Sequence, residues 1–179
     1  LVISTNGGLH RYVLGDLIRF TSTNPFRIKV TGRTRSFLNL AGEELMVGDA
    51  EQALARTGRQ FGVEIRNWTA CAVRSEELGG AVGLHHWAIE PGRASGGLPD
   101  PELFSMALDR NLRKVNSEYD AKRTADLVLL APRFEWLSTG TFEKVLKHKG
   151  KLGGQHKVPR LSMKDGWMRA IHEVVNRHC

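Results

Sequence analysis

The segment from Gly150 to Arg160 holds the residues best suited to bind an anion. It reads Gly-Lys-Leu-Gly-Gly-Gln-His-Lys-Val-Pro-Arg, so that Lys157 follows a glycine-rich stretch and precedes Pro159. The P-loop spacing, Gly-x-x-x-x-Gly-Lys-Ser/Thr, is absent. The basic cluster Lys144 to Arg160 suits a pocket for a small anionic ligand such as a nucleotide as well as it suits nucleic acid. On residue type alone, Lys157 is more typical of a solvated loop lysine.

Two other charged residues follow glycines, Asp16 after Gly15 and Arg33 after Gly32. A carboxylate can accept hydrogen bonds from two neighbouring hydroxyls, and a guanidinium presents a fixed fork of donors to phosphate. Taken alone, the aspartate is more typical of a turn and the arginine of a solvated strand end. The residue types therefore permit nucleotide binding without requiring it.

Composition bounds the class of protein. The 179 residues are 41% hydrophobic and 25% charged, with a net charge of +7, which predicts one folded domain with a short appendage. No apolar run approaches the roughly 20 residues of a membrane span. The two cysteines, Cys71 and Cys179, lack metal-type spacing. We therefore predict no metal site, no membrane association and a reducing, cytoplasmic setting. The opening Leu1-Val-Ile-Ser-Thr resembles the middle of a strand, so we expect a piece of a longer protein.

The elements that must position these residues follow from hydrophobic periodicity and turn signals. Residues 1–33 predict a small antiparallel meander. Beyond it, the patterns predict helices over 42–57, 101–115, 138–149 and 164–178, a short helical turn over 116–123, and strands over 61–73, 81–90 and 127–131. This order predicts an α+β fold with helices on one side of a mostly antiparallel sheet. His85 and His86 are adjacent in a strand, so we expect their rings on opposite faces, where they cannot easily chelate one metal.

Three segments together resemble one family. They are Gly8-Leu-His-Arg-Tyr-Val-Leu-Gly-Asp16, Val30-Thr-Gly-Arg33 running on into Phe37-Leu-Asn-Leu-Ala-Gly-Glu-Glu44, and Gly154-Gln-His-Lys-Val-Pro-Arg160. Their order and spacing resemble the auxin-responsive amido synthetases, which are acyl acid–amino acid ligases of the adenylate-forming superfamily that includes acyl-CoA synthetases and firefly luciferase. The resemblance covers nearly the whole chain but only about the last third of a full-length member. The third segment is similar to bacterial homologues.

The resemblance implies a reaction and a set of residues. In this family a carboxylic acid attacks ATP, with Mg, to give an acyl-AMP that an amino acid then converts to an amide. Lys157 matches the catalytic lysine, Asp16 the ribose-binding aspartate and Arg33 an arginine that reaches the ribose or phosphate. Tyr12 would brace the nucleotide site, and Arg35 falls at the hinge. Phosphoryl transfer of this kind depends mostly on positioning and charge stabilisation.

The same resemblance implies the organisation of the chain. Residues 1–35 would be the end of a large nucleotide-binding domain, and residues 36–179 the C-terminal lid domain. The partner would be the upstream domain of the same protein, with a small carboxylic acid and an amino acid as substrates. The phosphate-binding loop and substrate pockets are absent from these 179 residues. We therefore expect the isolated chain to be inactive and to bind no cofactor, with the exposed docking face of the meander able to form a homodimer.

Two alternatives stay open. The charge of +7 on an α+β chain is compatible with a basic nucleic-acid-binding module. The chain could also be a non-catalytic homologue that keeps the ligase fold without its chemistry.

Overall fold

The computed structural model describes residues 1–33, 36–74, 83–124, 128–150 and 157–177, with backbone alone at 31–33. The strands are β1 (Val2–Ile3), β2 (Tyr12–Val13), β3 (Asp16–Thr23), β4 (Phe26–Arg33), β5 (Phe37–Leu38), β6 (Leu45–Met46), β7 (Val63–Arg74), β8 (Gly83–Ala94), β9 (Arg133–Trp136) and β10 (Leu161–Ser162). The helices are α1 (Val47–Phe61), α2 (Pro101–Val115), α3 (Ser117–Arg123), α4 (Thr141–His148) and α5 (Gly166–Asn176).

The N-terminal strands form small antiparallel sheets, as the sequence predicted. They lie in two separate pairs, β1 with β2 and β3 with β4, rather than in one meander. The β3–β4 hairpin exposes a row of large apolar side chains, because Phe26, Ile28 and Val30 alternate on one strand with Phe20 on its neighbour. Phe26 is 77% exposed.

The main sheet has the strand order β10-β7-β8-β9. The long pair β7–β8 is antiparallel, whereas β10 runs parallel to β7 and β9 runs parallel to β8. The prediction of a mostly antiparallel sheet is therefore wrong in detail. Parallel neighbours need long crossovers, and the chain between β8 and β9 supplies one through α2 and α3. A strand was predicted at 127–131. Among the described residues of this range, only Leu129 forms a β-bridge, with Gly83, and the strand β9 begins later, at Arg133.

Helices cover both faces of this sheet, so the prediction of helices on one side is wrong. Trp68 and Ala70 of β7 pack in one core with α1 and α2, while Cys71 packs in a second core with α4 and α5. Each face of β7 is thus buried, and the five consecutive residues from Trp68 to Ala72 are all buried. A strand buried on both faces loses the polar–apolar alternation that would have revealed its two faces in the sequence.

The helices largely match their predicted positions. Helix α1 departs most from its prediction, beginning at Val47 rather than near residue 42, while α4 and α5 begin two or three residues late, at Thr141 and Gly166. The residues before α1 form a turn and a short strand instead of a helical turn. Leu45–Met46 pairs with β5, and the Glu43 side chain accepts hydrogen bonds from Leu40 N and Ala41 N. Helix α1 ends at Gly62, whose left-handed φ of 65° suits glycine. In the described part of the chain, none of the helices has the length and apolar character needed to cross a bilayer.

Candidate functional site

Lys157 lies four residues before β10 of the main sheet, in an irregular stretch that leads into that strand. Its side chain is exposed, whereas the next residue, Val158, is only 8% exposed and packs in the core beneath α4 and α5. Pro159 and Arg160 then lead into β10. The exposed Lys157 side chain thus lies directly beside a side chain that is held in the core.

Backbone contacts fix this segment to β7. Thr69 Oγ1 donates a hydrogen bond of 2.7 Å to the Pro159 carbonyl oxygen, and Ala70 N donates one of 2.8 Å to the Arg160 carbonyl oxygen. Leu161 then pairs in register with Ala70. These contacts determine the backbone position within three residues of Lys157, while its four-carbon side chain retains its reach.

Arg160 contributes to this anchoring with its side chain. Its guanidinium donates hydrogen bonds to Asn67 Oδ1 and to the Trp68 carbonyl oxygen, and lies 5.2 Å from the centroid of the Trp68 ring. Burial lowers the pKa of Arg160, and the charge of Glu51 partly opposes this shift. Arg160 is therefore committed to protein contacts, unlike the exposed Lys157.

A groove of about 650 Å³ borders the same segment, between α1 and the start of β7. Arg59, Arg66 and Arg160 supply three guanidinium groups to its lining, and Glu51 and Glu64 supply two carboxylates. The mixed charge makes this groove only weakly basic. It does not form the concentrated basic surface that nucleic-acid binding favours.

The other predicted nucleotide residues lie on the N-terminal strands. Asp16 and Arg33 are cross-strand partners in the β3–β4 register, so the hairpin brings their backbones together. Asp16 is half-buried, and its carbonyl oxygen accepts a 2.8 Å hydrogen bond from the Leu1 amino terminus. Tyr12 is 51% exposed on β2. The side chain of Arg33 and the whole of Arg35 lie outside the described residues, so the predicted hinge position is untested.

The predicted residues therefore fall on different sheets. Asp16 and Arg33 share the β3–β4 hairpin, whereas Lys157 lies at the β10 edge of the main sheet. Their assignment as one nucleotide site stays a prediction, because the described residues put Asp16 and Lys157 on different sheets and the side chain of Arg33 lies outside them.

Sequence reasoning missed a polar cluster on the α4–α5 face of the main sheet. His86 of β8, Glu135 of β9 and His172 of α5 place one ligand-type atom each within 4.8 Å of one another. The expectation that His85 and His86 point to opposite faces is confirmed, since His85 Nε2 contacts Glu43 Oε1 at 2.8 Å on the other face. No local spacing signals the cluster, because its three members come from three separate elements.

Comparison with known proteins defines the class. The C-terminal domain of the GH3 family matches residues 48–165. The chain therefore belongs to the GH3 family, which confirms at the family level the resemblance carried by the three sequence segments.

Relatives within the family are named as ligases. The chain is 25% identical over 168 residues to the indole-3-acetic acid-amido synthetase GH3.4 of Arabidopsis thaliana. This alignment covers 89% of this chain and 28% of that protein. It is 24% identical to the indole-3-acetic acid-amido synthetase GH3.8 of Oryza sativa subsp. indica, over 89% of this chain and 27% of that protein. The chain thus spans less than a third of the length of these relatives.

A solved structure has the same fold. The GH3.15 acyl acid amido synthetase superposes with a TM-score of 0.75 at 17% identity, over 96% of this chain and 32% of that one. A second structure, described as AtGH3.15 acyl acid amido synthetase in complex with 2,4-DB, gives the same values. The predicted α+β class, with small antiparallel sheets preceding a sheet-plus-helices domain, is thereby confirmed.

Proposed function

We propose that this chain is the C-terminal part of an ATP-dependent acyl acid amido synthetase. In the proposed reaction, a carboxylate oxygen attacks the α-phosphate of ATP, pyrophosphate leaves with Mg, and the amine of an amino acid displaces AMP from the acyl-AMP. The observation that carries the proposal is membership of the GH3 family, whose relatives above are named amido synthetases. Cytoplasmic ATP and a reducing setting suit this reaction, and Cys71 is a buried free thiol.

Lys157 is the proposed catalytic residue. Its exposed ammonium extends from a segment that Thr69 and Ala70 hold against β7. A cation supplied from a fixed base can offset the charge that grows on the transferring phosphate and attacking carboxylate, and such preorganised charge stabilises a transition state. In the full-length enzyme, Asp16 would bind the ribose hydroxyls, Arg33 would reach the ribose or phosphate, Tyr12 would brace the nucleotide, and the chain would swivel at Arg35.

The proposed partner is a nucleotide-binding region upstream in the same protein. The exposed apolar residues of the β3–β4 hairpin support this, because Phe20, Phe26, Ile28 and Val30 are each about half exposed or more. Contiguous apolar surface on a small domain marks a contact face. In the isolated chain this face is available to a second copy, and the isolated chain is expected to lack ATP–pyrophosphate exchange.

The test joins the chain to its upstream region and measures ATP–pyrophosphate exchange. The probe acids are aryl and aliphatic carboxylic acids, including indole-3-acetic acid. Lys157→Ala is expected to lower the exchange rate by about 100-fold or more, the usual effect of removing one charge-stabilising group. Lys164→Ala is the matched control, because Lys164 is also exposed and lies just beyond β10.

Three outcomes would contradict parts of the proposal. Equal exchange by Lys157→Ala and the unaltered protein would refute the assignment of Lys157. Robust exchange by the 179-residue chain alone would show that its active site is complete. Absence of exchange from the joined protein with every acid would favour a non-catalytic homologue of the same family.

A further inference from the structure

His86, Glu135 and His172 form a compact cluster that the proposed ligase chemistry does not use. Strands β8 and β9 run parallel, and Ala88 of β8 lies opposite Glu135 of β9. His86 is two residues before Ala88, so its side chain is on the same face of the sheet as Glu135. Helix α5 packs against this face through Ile171 and Val174 and places His172 beside the two strands. The fold, rather than local sequence, therefore brings the three side chains together.

The two imidazoles converge on one oxygen atom. His86 Nε2 lies 3.1 Å from Glu135 Oε1, and His172 Nε2 lies 2.9 Å from the same oxygen. The ring centroids of His86 and His172 are 5.7 Å apart. In a tetrahedral zinc site, with bonds of about 2.0–2.1 Å, neighbouring ligand atoms are roughly 3.3 Å apart. The observed separations from the carboxylate oxygen are within a few tenths of an ångström of that value.

The chemistry of this donor set selects the kind of ion. Two imidazole nitrogens and one carboxylate suit zinc and related divalent transition metals, whereas magnesium and calcium prefer oxygen ligands. Three protein ligands leave one coordination position for water. The side chain of His86 is 10% exposed, that of Glu135 29% and that of His172 45%, so an ion can enter from the His172 side.

We propose that His86, Glu135 and His172 bind one divalent transition-metal ion of the zinc class. Without the ion, both histidines must carry a proton on Nε2 to donate to a single oxygen. With the ion bound, the two Nε2 atoms and the carboxylate oxygen each donate a lone pair to the same cation instead. The bound ion would connect α5 to β8 and β9 and so stabilise this side of the domain. This inference stands apart from the adenylation proposal, since it involves none of the residues assigned there.

The test uses the 179-residue chain, treated with a chelator and then titrated with Zn²⁺ alone. We expect one tightly bound equivalent, with Co²⁺ giving a visible absorption band at the same stoichiometry and Mg²⁺ not competing. Saturation with Zn²⁺ should raise the Tm by roughly 5 °C or more, as expected for a ligand at about 100 times its Kd.

The variants His86→Gln and His172→Gln should each weaken Zn²⁺ binding by about 100-fold or more, since even groups that only support a ligand contribute 10–100-fold. His148→Gln is the matched control, because His148 Nε2 also lies near a glutamate, 3.6 Å from Glu173, but outside the cluster. His172 is the most exposed of the three, so His172→Gln should fold, which circular dichroism checks. Absence of a tight equivalent, or unchanged binding by His172→Gln, would overturn the proposal.

Discussion

Replacing the buried Glu43 by glutamine should destabilise the fold in a pH-dependent way. Glu43 is fully buried in the turn before α1. Its Oε1 accepts hydrogen bonds of 2.8 Å from both Leu40 N and His85 Nε2, and its Oε2 accepts one of 2.7 Å from Ala41 N. The carboxylate therefore ties the turn to β8. Glutamine has the same shape, but its NH₂ group cannot accept, so one buried donor would face another donor.

The expected magnitude follows from the pKa of Glu43. Burial raises this pKa, but the hydrogen bonds from His85, Leu40 and Ala41 outweigh it and lower the pKa from 4.5 to about 2. At about 1.4 kcal/mol for each pKa unit, the fold prefers the ionised carboxylate by about 3 kcal/mol. A buried donor left without an acceptor costs about 1–3 kcal/mol, which agrees with this figure.

The pH dependence has a definite sign. Since the folded-state pKa is depressed, the stabilisation is complete above pH 4.5 and is lost as the pH falls towards 2. Unfolding by urea should show Glu43→Gln to be about 3 kcal/mol less stable near pH 7. Because linkage removes about 1.4 kcal/mol from the free energy of unfolding of the unaltered chain by about pH 3.5, the stability difference between the two proteins should narrow by that amount.

Glu44→Gln is the matched control for this experiment. Glu44 is adjacent and exposed, so the same change of charge should leave stability nearly unaltered. Two results would refute the reasoning. One is a loss of less than about 1 kcal/mol in the free energy of unfolding of Glu43→Gln near neutral pH. The other is a loss that stays constant on acidification.

Two further substitutions test other carboxylates that accept hydrogen bonds inside the fold. Asp109 accepts hydrogen bonds from Arg123 Nε at 2.8 Å and from Tyr119 Oη at 2.7 Å, and both partners are buried. Asp109→Asn should cost about 1–3 kcal/mol in urea unfolding, since the amide can accept from only one of its two terminal atoms and so loses an acceptor for the buried Tyr119 hydroxyl or the Arg123 guanidinium; a cost like that of an exposed substitution would contradict this. Glu90 accepts from Gly140 N at 2.8 Å at the start of α4. Glu90→Gln should cost about 1–2 kcal/mol by the same measurement, and an equally stable variant would show that the carboxylate does not stabilise the helix start.

The helices were predictable because their ends are specified locally. Helix α2 has the predicted bounds of Pro101 and Val115. Asp100 caps it by accepting from Glu102 N and Leu103 N, and proline occupies the first helical position. Such signals are readable from a few adjacent residues.

The sheet was less predictable because its arrangement depends on distant pairings. Strand β10 has only two residues, and β9 has four. Their parallel alignment with β7 and β8 is set by crossovers and by packing on both faces, neither of which leaves a period in the sequence. Continuous burial of β7 also hid the second face of the sheet.

In the candidate sites, too, local sequence signals could be predicted and contacts between distant residues could not. Lys157 could be singled out because its glycines and Pro159 lie beside it in the sequence, but the contact of Thr69 with the Pro159 carbonyl spans 90 residues. Likewise, Glu135 and His172 are 37 residues apart, so their contact with His86 arises only in the folded sheet. The prediction of no metal site considered cysteine spacing and adjacent histidines, and neither bears on such a cluster.

The strand order makes the two proposals physically separable. Lys157 precedes β10 at one edge of the main sheet, and Glu135 lies on β9 at the other. Three interstrand spacings of about 4.8 Å place these edge strands roughly 14 Å apart. The cluster also shares no residue with the proposed nucleotide site, so a metal ion could stabilise the packing of α5 whether or not Lys157 takes part in adenylation. Loss of zinc binding in His172→Gln and loss of exchange in Lys157→Ala are accordingly independent results, and either proposal can fail while the other stands.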